Sequence, residues 1–201
     1  MNVKKIILII YIILLLLNKT YYFWYPSINT NLLCHGKTYP NNNNEVNIMM
    51  KEYINKRTQD DINFFYLTDK DIIIAFQDIV KENEMKRKDM KKILMSPKNL
   101  SIIMMYKYIY NRARPSQVAP NIINKESGTL LESKTADTPS YPSGHAFQAY
   151  YLAKILSKKF PKKKEQLMKL ARRVSDARII AGLHFPSDRD FAYWLVDNLL
   201  N

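Results

Sequence analysis

Apolar residues in this chain recur three and four positions apart, in runs that start and stop at serine, proline and glycine. That periodicity belongs to helices. Ile72, Ile73, Phe76, Ile79 and Val80 share one face of a run from Thr68 to about Glu84, with Thr68 and Asp69 as caps. The same reading predicts helices over Glu45 to Arg57, Lys98 to about Asn111 behind Ser96-Pro97, Gly144 to Phe160, and Lys162 to Ala181 with Gly182 as its stop. A last helix opens at Pro186-Ser187 and runs through about Leu200. No alternation of useful length argues for strands, and there is no internal repeat. The expected fold is all-α, a helical bundle.

At 201 residues and 47% hydrophobic content the chain suits one domain with its own core, which excludes a disordered chain. A formal net charge of +13 favours an anionic partner: nucleic acid, a membrane surface or a phosphorylated substrate. Charge alone does not choose among them. The lysine runs Lys86-Arg87-Lys88, Lys91-Lys92 and Lys158 to Lys164 read as solvated helix ends and connections, with membrane-surface attraction as the other reading. The lone Cys34 excludes an intrachain disulfide, and no Cys/His cluster has the spacing of a zinc site.

Lys4 and Lys5 precede the apolar stretch Ile6 to Leu17, the layout of a secretory signal or a short signal anchor. A spanning helix wants about 20 apolar residues, and Asn18-Lys19-Thr20 interrupts this one before the aromatic stretch Tyr21 to Tyr25. No small-residue cleavage site follows, which favours an uncleaved anchor and membrane association through residues 6–24. With the lysines on the cytoplasmic side, the remainder is membrane-anchored or secreted and faces the luminal or extracellular side. The expected organisation is a signal peptide or anchor over 1–25, a polar linker over 26–44 ending in Asn41 to Asn44, and the domain over 45–201.

Three segments carry chemistry. In the first, Lys107 and Arg114 lie seven positions apart, so on a continuous helix the two cations share a face before Pro115 closes it. A basic helix end is also a common stabilising arrangement. The second is Pro142-Ser143-Gly144-His145. Its proline pre-sets a turn, Ser143 can donate from its hydroxyl, and Gly144 lets an oxyanion approach backbone N–H groups at a helix start. Taken alone, Ser143 is equally a simple cap and His145 a polar first-turn residue. In the third, Arg178 precedes Gly182, His184 and Asp188. A carboxylate four residues on can accept from His184 Nδ1–H and leave Nε2 free, the pairing a nucleophilic histidine needs, or can simply favour a helix N-terminus.

Taken together, Lys107-x6-Arg114-Pro115, Pro142-Ser143-Gly144-His145 and Arg178-x5-His184-x3-Asp188 resemble the three-part signature of the type 2 phosphatidic acid phosphatase and vanadium haloperoxidase superfamily. The resemblance runs from about Ser96 to the C-terminus. "SYPSGHA" and "ARIIAGLHFPSD" are most similar to the class A nonspecific acid phosphatases. Ala177 stands where the family usually has serine before the arginine, with Ser175 nearby.

The resemblance implies a helical bundle in which Lys107, Arg114 and Arg178 converge with Ser143 and the Gly144 N–H on phosphoryl oxygens. It further implies that His184 attacks phosphorus, Asp188 stabilises its imidazole and His145 protonates the leaving group. It implies no cofactor and no metal. The partner is then a phosphate ester, soluble or lipid, and nucleic acid is not expected. A vanadate-dependent haloperoxidase and a non-enzymatic, membrane-tethered basic module are the competing readings.

Overall fold

The computed structural model of the chain describes residues 39–199. The predicted signal or anchor, the membrane-associating residues 6–24 and most of the expected linker lie outside them. The described part is all-helical, as expected, with no strand among the described residues. Its helices are α1 (Asn42–Met49), α2 (Gln59–Thr68), α3 (Ile73–Ile79), α4 (Arg87–Leu94), α5 (Pro97–Tyr110), α6 (Pro115–Val118), α7 (Gly144–Lys159), α8 (Lys164–Ile180) and α9 (Pro186–Leu199). None of them is long and apolar enough to cross a membrane.

Local chemistry sets most of these boundaries. The Ser96 side chain accepts from the Asn99 N–H with Pro97 at the first helical position, and the Ser143 hydroxyl accepts from the Ala146 N–H to start α7. Thr58 and Asp61 form a reciprocal capping box at α2. Gly182 stops α8 at φ +76°, a conformation glycine adopts without strain.

Four expectations need correction. The asparagine run assigned to the linker opens α1: Asn41 Oδ1 accepts from the N–H groups of Asn43 and Asn44, at 2.9 and 3.3 Å, because asparagine is among the strongest helix N-caps. The helix expected through Arg57 passes instead into a π-helical turn over Met50–Ile54. Thr68 and Asp69 do not start a helix. They end α2, where the Thr68 hydroxyl donates back to the Phe64 carbonyl, and α3 begins only at Ile73. Finally, Lys107 and Arg114 are not on one helix, since α5 ends at Tyr110 and Asn111 turns into the left-handed region at φ 42°. A short helix, α4, also forms across the first two lysine runs by burying Met90 and Leu94 one turn apart.

The longest pair, α7 and α8, makes the most extensive helix–helix contact. Together with α2, α3 and α4 they enclose a core that includes Phe65, Phe76, Leu152, Leu156 and Val174, each fully buried. A second cluster joins α5, α7 and α9 through Ile103, Tyr110, Phe147, Phe191 and Val196. A third, of Val46, Met49, Ile54, Ile123, Ile179 and Phe185, seats α1 against the end of α8. Burying each large side chain contributes about 1.5–3 kcal/mol. These clusters fix how α5, α7, α8 and α9 sit against one another, and the ends of those helices carry the polar residues of interest.

Between α6 and α7 the chain crosses the end of α8, where the Leu131 N–H donates to the Ala181 carbonyl at 2.9 Å. At Gly182 an added Cβ would sit 2.7 Å from the Thr129 carbonyl oxygen of this crossing. Gly182→Ala is therefore expected to destabilise the fold by about 1–3 kcal/mol, from left-handed strain plus the backbone clash. Denaturant unfolding of the variant and parent chains checks this.

Candidate functional site

Lys107 sits in the last turn of α5, buried, with its ammonium donating to the Pro139 carbonyl. The chain then leaves the helix at Asn111 and brings Arg114 back beside it in extended geometry. Arg114 Nε donates to the Thr138 carbonyl at 2.9 Å, and Nη1 donates to the Leu183 carbonyl at 2.8 Å. The same Nη1 lies 3.4 Å from His184 Nε2. So the two cations do meet, through a helix break instead of a shared helix face.

His184 follows the Gly182 turn and precedes α9. Its Nδ1 lies 3.0 Å from Asp188 Oδ2. A carboxylate only accepts, so Nδ1 carries the hydrogen and Nε2 keeps its lone pair. Burial, then the Arg114 charge, pushes the His184 pKa well below 6.5 against the opposing pull of Asp188. Asp188 Oδ2 also accepts from the Phe185 N–H at 2.9 Å and from the Ser140 hydroxyl, while Oδ1 accepts from Arg112 Nη1 at 2.7 Å. Burial opposes the Asp188 charge, but Arg112, His184 and Ser140 outweigh it and hold the carboxyl below the usual range.

His145 lies in the first turn of α7, with Nε2 2.8 Å from the Asp69 carbonyl oxygen. That oxygen only accepts, so the hydrogen is on Nε2, and Nδ1 is the nitrogen left to exchange a proton. Burial and the nearby Arg178 charge lower its pKa to about 3. Gly144, one residue earlier, lines the same cavity, and a Cβ there would meet no protein atom within 4 Å.

Arg178, in the last turn of α8, is buried and ion-paired: Nη1 donates to Asp69 Oδ1 at 2.6 Å, and Nη2 reaches the hydroxyls of Ser133 and Thr135 at 3.2 Å. Its Nε is buried with no hydrogen-bond partner. Ala177 is buried, and Ser175 does not supply the missing serine, since its hydroxyl donates to the Ala171 carbonyl at 2.7 Å. Ser133 and Thr135 provide hydroxyls to Arg178 instead.

Lys107, Arg114, Gly144, His145 and His184 line one cavity of about 410 Å³. Ser143, Arg178 and Asp188 stand behind that wall, with Ser143 engaged as the α7 cap. The lining also includes the apolar residues Ile72, Ile73, Leu94, Leu100, Ile103 and Met104, beside polar ones such as Lys70, Asp71 and Gln148. Among the described residues, no group of three or more His, Cys, Asp or Glu is placed to hold a metal ion. The sequence reading singled out neither Arg112 and Glu45, which lie behind Asp188, nor Asp69 as the partner of Arg178. The one local signal was the second arginine of Arg112-Ala113-Arg114-Pro115.

Basic side chains and a helix N-terminus converge on this cavity. Lys107 has its pKa pushed well down by burial and by Arg114, and the start of α7 adds the positive end of a helix dipole. The PAP2 superfamily pattern matches residues 94–193, which include all eight residues singled out from the three segments. Glu45 and Asp69 fall outside it. None of the curated proteins compared with the chain matches it.

Two stability effects follow. Both histidines titrate below their ordinary value of 6.5 in the folded chain, so below that pH the unfolded chain binds more protons. Stability is therefore expected to fall as pH drops below about 6.5. Inorganic phosphate should oppose this by offsetting the cations, adding about 2.7 kcal/mol at a hundredfold excess over its Kd. Thermal unfolding across pH, with and without phosphate, checks both effects, and Lys107→Met should abolish most of the phosphate-dependent gain.

Proposed function

We propose, for a chain that belongs to the PAP2 superfamily of phosphoesterases and haloperoxidases, that it hydrolyses phosphate monoesters through a phosphohistidine on His184. The observation that carries this reading is the pairing around one imidazole: Nδ1 held by the buried Asp188 at 3.0 Å, and Nε2 on the cavity 3.4 Å from Arg114. A histidine so held is neutral, fixed in tautomer and next to a cation that would draw a phosphoryl oxygen.

In the proposed reaction Lys107, Arg114 and the Gly144 N–H hold the phosphoryl oxygens. Arg178 adds its charge from behind, and its Nε remains available as a donor. The lone pair of His184 Nε2 attacks phosphorus. The ester P–O bond breaks, its electron pair goes to the leaving oxygen, and that oxygen takes the proton carried by His145. Asp188 balances the charge that develops on the His184 ring. A water molecule then attacks phosphorus, giving a proton to His145 as the P–N bond breaks, which releases phosphate and restores neutral His184. The apolar residues of the lining would receive the organic group of the ester, soluble or lipid.

Burial and the Arg178 charge hold His145 at about 3, too low to carry a proton at neutral pH. A phosphate dianion offsets the Arg178 and Lys107 charges that depress it, so substrate binding raises the proton affinity of the acid when it is needed. Burial, then the Arg114 charge, keeps the His184 pKa well below 6.5, which favours the neutral imidazole.

Turnover of alkyl phosphates is therefore expected to increase as pH falls below neutrality. The measurement is phosphate release against pH, and a rate still climbing above about pH 9 would contradict the assignment. His145→Ala should lose about 10²–10⁴-fold on alkyl phosphates. It should lose far less in phosphorylation by an aryl phosphate, whose phenolate leaves without a proton. Vanadate should inhibit, and bromide oxidation by peroxide and vanadate in place of ester hydrolysis would favour the haloperoxidase side of the superfamily.

A further inference from the structure

The hydrogen-bond chain behind His184 does not end at Asp188. Arg112 Nη1 donates to Asp188 Oδ1 at 2.7 Å, and Nη2 donates to Glu45 Oε2 at 2.6 Å. Arg112 and Asp188 are 0% exposed and Glu45 is 4% exposed. The guanidinium is stacked 3.9 Å from the Phe185 ring centroid and 4.3 Å from that of Tyr39. Glu45 is itself fixed, with Oε1 accepting from the Ser187 N–H at 2.9 Å and Oε2 accepting from the Ser187 hydroxyl. Asn42 Oδ1 accepts from Arg112 Nε and Nη2 at 3.0 and 2.9 Å. Both Asn42 and Glu45 belong to α1, outside the stretch that matches the superfamily.

We propose that Glu45, acting through Arg112, is a positioning residue that keeps the charge of Asp188 available to His184. The proposal rests on His184 being the group that becomes cationic in the reaction. With Arg112 as its sole charged neighbour, Asp188 would already be neutralised, and a positive imidazole would be an uncompensated buried charge. Glu45 supplies a second carboxylate, so Arg112 is balanced from its far side. The set of Glu45, Arg112, Asp188 and His184 is then one negative charge in excess at rest. It reaches neutrality when the imidazole turns positive. A clamp that merely tied α1 to the bundle would not need this charge count. It would need only shape and hydrogen bonds.

Two substitutions in the full chain separate these accounts, because Glu45→Gln keeps the shape and removes the charge, whereas Glu45→Asp keeps the charge and changes the reach. Three quantities are read: kcat on an aryl phosphate, the inhibition constant of inorganic phosphate, and the downfield proton resonance of His184 Nδ1–H in the resting protein. Glu45→Gln should lower kcat about 10-fold or more, as expected for loss of one buried charge near the ring. It should leave the phosphate constant within about twofold and move the Nδ1–H resonance upfield as Arg112 draws on Asp188. Glu45→Asp should stay within about threefold of the parent kcat, with the resonance in place. The proposal is overturned if Glu45→Gln matches the parent, if Glu45→Asp is damaged as severely as Glu45→Gln, or if phosphate binding is lost in step with kcat. Should Glu45→Gln not fold, the Glu45→Asp values decide alone, parent-like values supporting the relay and a lost kcat overturning it. A parent chain that does not hydrolyse the ester would overturn the phosphatase reading, and the Nδ1–H resonance would then test the relay by itself.

Discussion

The carboxylate of Asp188 is the point on which the rest of this arrangement depends. Its two oxygens accept from His184 Nδ1, the Phe185 N–H, the Ser140 hydroxyl and Arg112 Nη1. Those partners come from the turn between α8 and α9, the approach to α7 and the break after α5. One buried charge thus ties its own helix to three other stretches of chain, alongside backbone bonds such as Ser140 N–H to the Arg112 carbonyl. Removing a partner from a buried, ionised group costs about 3–5 kcal/mol, because the remaining charge stays desolvated. The same bonds that hold these chain ends together fix the tautomer of His184. Fold and site geometry therefore share one cause.

The cations in front of His184 repel one another. Lys107 is buried with Arg114 close enough to depress its pKa, and Asp69 pairs with Arg178. Packing in the three apolar clusters holds these residues in place regardless. Because interiors are close-packed, the helix ends cannot splay to separate the charges. An oxyanion bound there would gain from charges already placed. The PAP2 superfamily membership and this charge pattern point to the same class of ligand, a phosphate ester.

Much of this was legible in the sequence, and the reason is local. Ser96-Pro97, Ser143-Gly144, Gly182 and Pro186 act on their own few residues of backbone, so helix starts and stops could be read one at a time. The pairing of His184 with Asp188 spans a single helical turn and was legible for the same reason. What escaped depended on distance along the chain. Glu45 meets Arg112 across 67 residues, and Asp69 meets Arg178 across 109. Neither pair has a spacing that periodicity could reveal. The helix end near Asn111 was legible, but the seven-residue spacing of Lys107 and Arg114 suggested one shared helix face, which the left-handed turn at Asn111 rules out. The asparagine run was misassigned because its polar composition suggested a linker, although asparagine side chains also cap helices.

The claim at the centre of this account is that Nε2 of His184 carries the phosphoryl group during turnover, and it can be tested on the reacting protein directly. The chain is mixed with an isotope-labelled aryl phosphate, quenched in alkali, where a phosphorus–nitrogen bond survives, and digested to locate the label. The account predicts label on His184, attached at Nε2, and none in the His184→Ala protein. Label on His145, or full hydrolysis by the His184→Ala protein, would contradict it.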